Sequence, residues 1–190
     1  AQRAREAGQL ELAKKKLAAL PATVQRHPIV LTERARIELA AGNWNEVVRL
    51  ASLERRTQRD SLLMGHELVE ACEKLNRTRD ASVTAVEVWA VAPVEENWAM
   101  EVLRRLAHLD LHAGRDGLRR AFAREPRRGD LARGLAALEC TAGDLPAALR
   151  VLRSVEALDR GPRHRWAFAE TLLQLATARD SSGAAETYAD

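Results

Sequence analysis

Apolar positions along this chain recur at intervals of three and four residues, the spacing that gathers side chains on one stripe of a helix. Val30, Leu31, Ile37 and Leu39 mark such a stripe over Ile29–Ala41. Val47, Val48, Leu50, Ala51 and Leu53 mark a second over Trp44–Arg56. The same reading predicts helices over Ser61–Leu75, opened by Asp60, and over Ala81–Val91, capped by Asp80. A long helix then opens at Pro93 and runs to Ala113, and a short one covers Asp116–Arg124 before Pro126. Asp130–Thr141, Pro146–Leu158 and Pro162–Thr177 follow, and Asp180–Asp190 reads as a truncated last helix. Alternating runs of Val, Ile, Thr and Tyr scarcely occur, so the fold class is all-α.

The turns between these helices repeat. Gly8 is followed five residues later by Ala13, Gly42 by Val47 and Asn76 by Ala81, so the steps are 34 residues each (8 to 42, 42 to 76). Two further turns are predicted at Gly114 and at Gly143, the latter followed by Ala148, and these steps are 38 and 29 residues (76 to 114, 114 to 143). A single helix pair cannot bury its own apolar stripe, whereas stacked pairs bury a continuous core, so periodic helix pairs predict an α-solenoid.

Composition refines this picture in a few places. Hydrophobic residues make up 46% and charged residues 30%, which suits a fold with a core and much surface. The 30 basic and 27 acidic residues leave a net charge of +3, too small by itself to imply a polyanion partner. Local charge is less even: residues 101–165 hold 14 Arg against nine acidic residues, with Arg119, Arg120, Arg124, Arg127, Arg128 and Arg133 clustered and Arg160, Arg163 and Arg165 beyond. That window suits an acidic peptide or a polysaccharide. Nucleic acid fits less well, because aromatic residues for stacking on bases are not interleaved with the arginines. Cys72 and Cys140 lack metal-ligand spacing and read as packed thiols. No apolar run approaches the roughly 18 residues of a membrane span. The opening AQRAREAG lacks the pattern of a signal peptide and reads as the tail of a helix within a larger protein. The compartment stays open between cytoplasm and bacterial periplasm.

Motifs for chemistry are sparse. His108 and His112, four residues apart, could share a helix face and hold two positions of a metal site, but no third ligand is evident. His66-Glu-Leu-Val-Glu70 has Glu where a zinc-protease helix needs its second His, and an i,i+4 His–Glu contact is the simpler expectation. Gly114-Arg-Asp-Gly117 lacks the Gly-Lys-Ser/Thr of a phosphate loop. Arg128-Gly-Asp130 matches an adhesion tripeptide, yet it falls where one helix ends and the next is capped. No serine sits in a nucleophile elbow. The expectation is a binding protein that is not an enzyme and has no cofactor.

The turn glycines at 8, 42, 114 and 143, the small residues Ala35, Ala107 and Ala136 seven before a turn, and Ala13, Ala81 and Ala148 after it together resemble the tetratricopeptide repeat. Leu68, Leu106 and Leu135 match its first-helix leucine and Pro93 its closing proline. The helix-A Trp is replaced by Leu31 and Leu103, and the Tyr position holds Glu38, Cys72, Asp110 and Glu139. The resemblance implies one array over residues 1–190, about five helix pairs partial at both ends, wound as a right-handed superhelix. It implies a protein–protein interaction scaffold whose partner lies in a concave groove lined by the first helix of each pair. It also places such arrays in bacterial assembly or export proteins, including polysaccharide export.

Carried over position by position, the groove would be lined by Ile29, Thr32, Arg36, Leu39 and Ala40; by Leu63, His66, Glu70, Glu73 and Lys74; by Glu101, Arg104, His108, Leu111 and His112; and by Asp130, Arg133, Ala137, Cys140 and Thr141. Among these, Arg36, His66, Glu70, Arg104, His108, His112 and Arg133 are the candidate partner-binding residues, with the three arginines suited to clamping carboxylates. Trp44, Trp89, Trp98 and Trp166 are expected to pack between helices, and Trp98, five residues ahead of the family's aromatic position, is the one expected to show exposure. Two competing readings are a ligand-sensing regulatory domain attached to an effector, and an enzyme or metal-binding helical domain built on His108 and His112.

Overall fold

A computed structural model of the chain describes residues 1–156, 161–171, 173 and 177. Every regular element among the described residues is a helix. These residues fall into two compact units, Ala1–Val102 and Leu103 onward. The expected Asp180–Asp190 helix, Arg160 and the end of the Pro146–Leu158 helix lie outside the described residues.

The first unit contains α1 (Gln2–Glu6), α2 (Leu10–Ala18), α3 (Ala22–Gln25), α4 (Pro28–Ala40), α5 (Trp44–Gln58), α6 (Gly65–Lys74), α7 (Thr78–Val91) and a 3₁₀ turn over Pro93–Glu95. Three pairs form within it: α1 on α2, α4 on α5 and α6 on α7. Each later pair docks on the one before, α4 against α1 and α2, and α6 against α4 and α5. We call the first helix of a pair A and the second B.

The turn joining A to B is one motif used repeatedly. Gly8 (φ 75°), Gly42 (φ 75°) and Asn76 (φ 56°) take the left-handed conformation that closes a helix. The next residue then donates its N–H back over the last turn: Gln9 to the Ala4 carbonyl at 2.8 Å, Asn43 to Glu38 at 2.9 Å and Arg77 to Cys72 at 2.8 Å. This satisfies carbonyls that a helix end would otherwise leave unpaired. Four residues past that donor stand Ala13, Val47 and Ala81, all fully buried.

Two caps differ from expectation. Asp60 does not open α6; its carboxylate accepts from the Leu62 N–H at 2.8 Å and shapes a turn, and the helix begins only at Gly65, after Met64 (φ 54°). Asp80 lies inside the first turn of α7, where it accepts from Arg77 Nε at 2.8 Å.

In the second unit, α9 (Gly129–Thr141) packs on α10 (Leu145–Val155), and residues 162–171 form α11. Gly143 (φ 78°) repeats the left-handed turn, and Asp144 N–H donates to Glu139 at 2.9 Å. α8 (Glu96–Arg124) carries one non-helical residue, Asp110 (φ −153°, ψ 82°), which divides it into an A segment and a B segment. Asp110 Oδ1 accepts from the Ala113 N–H at 3.0 Å, as Asp144 Oδ1 accepts from Ala147 N–H at 3.0 Å. Asp110 therefore caps a B helix.

This corrects the expected turn at Gly114. The residues opening successive B helices are Gln9, Asn43, Arg77, Asp110 and Asp144, with steps of 34, 34, 33 and 34 (9 to 43, 43 to 77, 77 to 110, 110 to 144). The repeat keeps its period and drops one residue, the left-handed one, before Asp110. Gly114 is buried within the helix in the position of Ala13, Val47, Ala81 and Ala148. A Cβ on it would stand 3.1 Å from Leu103 Cδ2 and 3.2 Å from Leu138 Cδ1, so its smallness serves packing. The same shift puts buried Leu103 where Ala107 was expected, and buried Leu106, in place of Asp110, in the row of Ala4, Glu38, Cys72 and Glu139, all buried.

Candidate interaction surface

In the first unit the A helices are tied to one another by charge. Arg5 Nε on α1 reaches Glu33 on α4 at 3.1 Å, and Arg36 Nε on α4 reaches Glu67 on α6 at 2.8 Å. His66 on α6 meets Glu95 at 3.1 Å and stacks flat on Trp98, with ring centroids 3.9 Å apart and planes 4° apart. The predicted His66–Glu70 contact is thus replaced by a longer-range pair. Glu70 is exposed and has no hydrogen bond or ion pair among the described residues. Arg36 keeps one guanidinium edge engaged, because Glu67 is nearly buried and demands a cation. Beside it lies an open recess of about 450 Å³ lined by Ile29, Thr32, Glu33 and Arg36, with Ile29 73% exposed.

In the second unit a cleft of about 280 Å³ brings together Arg104, Arg133, Ala137, Cys140 and Thr141 with Ala167, Glu170 and Thr171 of α11. Five of these are predicted groove positions, Arg104 from the third set and the other four from the fourth; Glu101, His108 and Asp130 do not line it. Arg104 is exposed and makes no hydrogen bond or ion pair among the described residues. Thr141 Oγ1 donates to Ala137 O at 2.9 Å and Thr171 Oγ1 to Ala167 O at 2.8 Å, which holds both hydroxyls against their own helices. The Thr171 proton being spent, Cys140 Sγ, 3.6 Å away, is the donor between them. Burial raises the Cys140 thiol pKa.

His108 remains on the A segment and is exposed; His112 falls beyond the break at Asp110, on the B segment. The shared helix face that the four-residue spacing predicts does not form. Among the described residues no three His, Cys, Asp or Glu side chains are grouped to hold a metal ion.

The basic cluster is partly consumed inside the fold. Glu139 is 1% exposed and takes Arg115 and both Nε and Nη2 of Arg119. Arg128 closes a bidentate pair on Asp130 at 2.7 and 2.6 Å, and this bond is the main reason its pKa is raised. The Arg-Gly-Asp tripeptide is therefore paired with itself. Arg120, Arg124 and Arg127 stay exposed.

Of the four tryptophans, Trp89 is fully buried, while Trp166 is 73% exposed and not packed as expected. Leu173 is 65% exposed as well. No sequence signal distinguished Trp166 from the others; its exposure follows from which side of α11 meets the Ala136, Ala148 and Leu152 core, where Ala167 and Phe168 pack.

Helix pairs that repeat with a period near 34 residues, with a buried small or apolar residue in the first turn of each B helix, define an α-solenoid of tetratricopeptide-repeat type. The MamA RS-1 ArsTM double mutant aligns with 84% of this chain and 90% of its own, at TM-score 0.51 and 18% identity. MamA from residue 41 to its end, from Desulfovibrio magneticus RS-1, covers the same shares at TM-score 0.50 and 17% identity. At such identities the likeness is one of fold. No protein-family model matches the sequence, and no curated protein does. Among the described residues no helix is long and apolar enough to cross a membrane.

Proposed function

We propose that this chain is a non-enzymatic interaction scaffold that holds an acidic peptide or protein segment along its A-helix face, within a larger bacterial assembly or export protein. The observation that carries the reading is the second-unit cleft. There an exposed guanidinium without a partner, Arg104, faces the same space as Arg133 and the apolar Ala136, Ala137 and Ala167. A solvated arginine beside an apolar floor favours a ligand that carries a carboxylate near a hydrophobic group. Trp166, 73% exposed, extends the apolar surface of α11. Arg36 contributes less, because Glu67 already satisfies one edge of its guanidinium.

The test is fluorescence-anisotropy titration with a labelled acidic peptide of mixed Asp, Glu and Leu, beside its Asn/Gln counterpart. The intact chain should prefer the acidic peptide, and the Arg104→Ala/Arg133→Ala variant should bind it at least about tenfold more weakly, one charged hydrogen-bonded pair being worth roughly 1.5–3 kcal/mol. Equal binding of both peptides, or an unchanged affinity in the variant, refutes the reading.

A further inference from the structure

We infer that the first unit carries a second, separate site, a phosphate-binding recess at the end of α5, formed by Arg55, Arg56 and Arg59 with the hydroxyls of Ser52 and Ser61. These residues line one open recess of about 550 Å³ together with Leu68 and Glu87. Their roles differ. Arg55 is nearly buried and fixed: its Nη2 donates to the Ser61 carbonyl and lies 3.3 Å from Glu87 Oε2. Arg56 uses only Nε, donating to Ser52 O at 2.9 Å, which leaves its two terminal nitrogens for a ligand. Arg59 has no side-chain hydrogen bond or ion pair among the described residues. Two unsatisfied guanidiniums beside a third repel one another, and an oxyanion placed between them removes that repulsion.

A second observation is independent of charge. Arg59 sits in the left-handed region (φ 53°, ψ 35°) as the residue that closes α5. The A-to-B turns of the same chain use Gly8, Gly42, Asn76 and Gly143 for this conformation, the residues it strains least. At the end of α5 the chain keeps a long cation where glycine would be more stable, and strain of this kind is retained where a side chain has work to do. Attraction between a helix C-terminus and cations accounts for basic residues in the last turn. It does not account for one held in a strained backbone. The ligand chemistry follows from the donors: two terminal Arg56 nitrogens, the Arg59 fork and two hydroxyls, arranged about an open recess, suit the many acceptor oxygens of a phosphate group better than the two of a carboxylate.

Isothermal titration of the full chain with inorganic pyrophosphate at low salt tests this, with citrate as the polycarboxylate arm. Pyrophosphate should bind and citrate should bind at least tenfold more weakly. Arg59→Gly should lose at least tenfold in pyrophosphate affinity while raising Tm by roughly 2–4 °C as the strain is relieved. Arg56→Gln should lose affinity similarly with Tm unchanged, and Arg79→Ala, at an exposed arginine that does not line the recess, should bind pyrophosphate as the parent does. Absence of binding, equal binding of citrate, full affinity in Arg59→Gly, a lowered Tm in that variant, or loss of binding in Arg79→Ala each overturns the assignment.

Discussion

Gly65 opens α6 against Val88 of α7, and substituting it measures how tightly a helix pair is closed. A Cβ at Gly65 would stand 2.4 Å from Val88 Cγ2, more than 1 Å inside ordinary carbon–carbon contact of about 3.5–4.0 Å. Val88 is buried and β-branched on a helix, so its χ1 has one strongly preferred well and cannot swing aside cheaply. Overpacking of this kind costs about 1–3 kcal/mol. Alanine returns at most about 1 kcal/mol through helix propensity, and less at a first helical position. The expected net destabilisation for Gly65→Ala is thus about 1–2 kcal/mol, a fall in Tm of roughly 2–8 °C for a chain of this size. Thermal melts followed by circular dichroism give the single-variant value, and urea midpoints give the free energy. The control is Val88→Ala. It removes Cγ2 and leaves Val88 Cβ, which lies 3.8 Å from the new atom, an ordinary contact. The double variant should therefore be more stable than the two single effects summed, by roughly 1–2 kcal/mol. Additive effects, or a Gly65→Ala chain as stable as the parent, would refute the reasoning.

Asp110→Ala should cost about 1 kcal/mol in urea unfolding through the lost cap, and inserting one Gly between Leu109 and Asp110 should be nearly neutral because it restores the turn used elsewhere. Glu139→Ala should cost about 3–5 kcal/mol, since it strands the largely buried Arg115 without its carboxylate; a loss below 1 kcal/mol in a chemical melt would show that the pair is solvated. Burial pushes the Cys72 thiol from 9.0 up to about 11, so it should resist iodoacetamide at pH 8 in the folded chain and react once the chain is unfolded. Because the folded state holds that proton more tightly, the contribution of Cys72 to stability is complete below pH 9 and falls as pH rises towards 11, a loss that Cys72→Ser should not show in melts across that range.

The parts of this fold legible in the sequence are those set by local chemistry. Gly42, Asn76 and Gly143 announce left-handed turns because few other residues adopt them readily. The apolar stripes of α4 and α5 follow from period alone. Gly114 misled for the same reason that the others informed: a glycine required by packing against Leu103 and Leu138 reads, in sequence, like one required by a turn. The turn at Asp110 has lost its left-handed residue and left only an ordinary aspartate as a sign. The A-helix face was legible as a set of positions but not as a state of charge. Arg36 with Glu67, 31 residues apart, and His66 with Trp98, 32 apart, depend on how one pair docks on the next, which no local window records. Arg104 and Arg133, which the repeat puts on successive A helices, line one cleft.

Backbone hydrogen exchange of the full chain with and without saturating acidic peptide tests most directly whether the A-helix face of the second unit is where a partner lies. Protection should appear in residues 104–108 and 133–141 and leave α10 unchanged. Protection confined to α10, or none at saturating peptide, would contradict it.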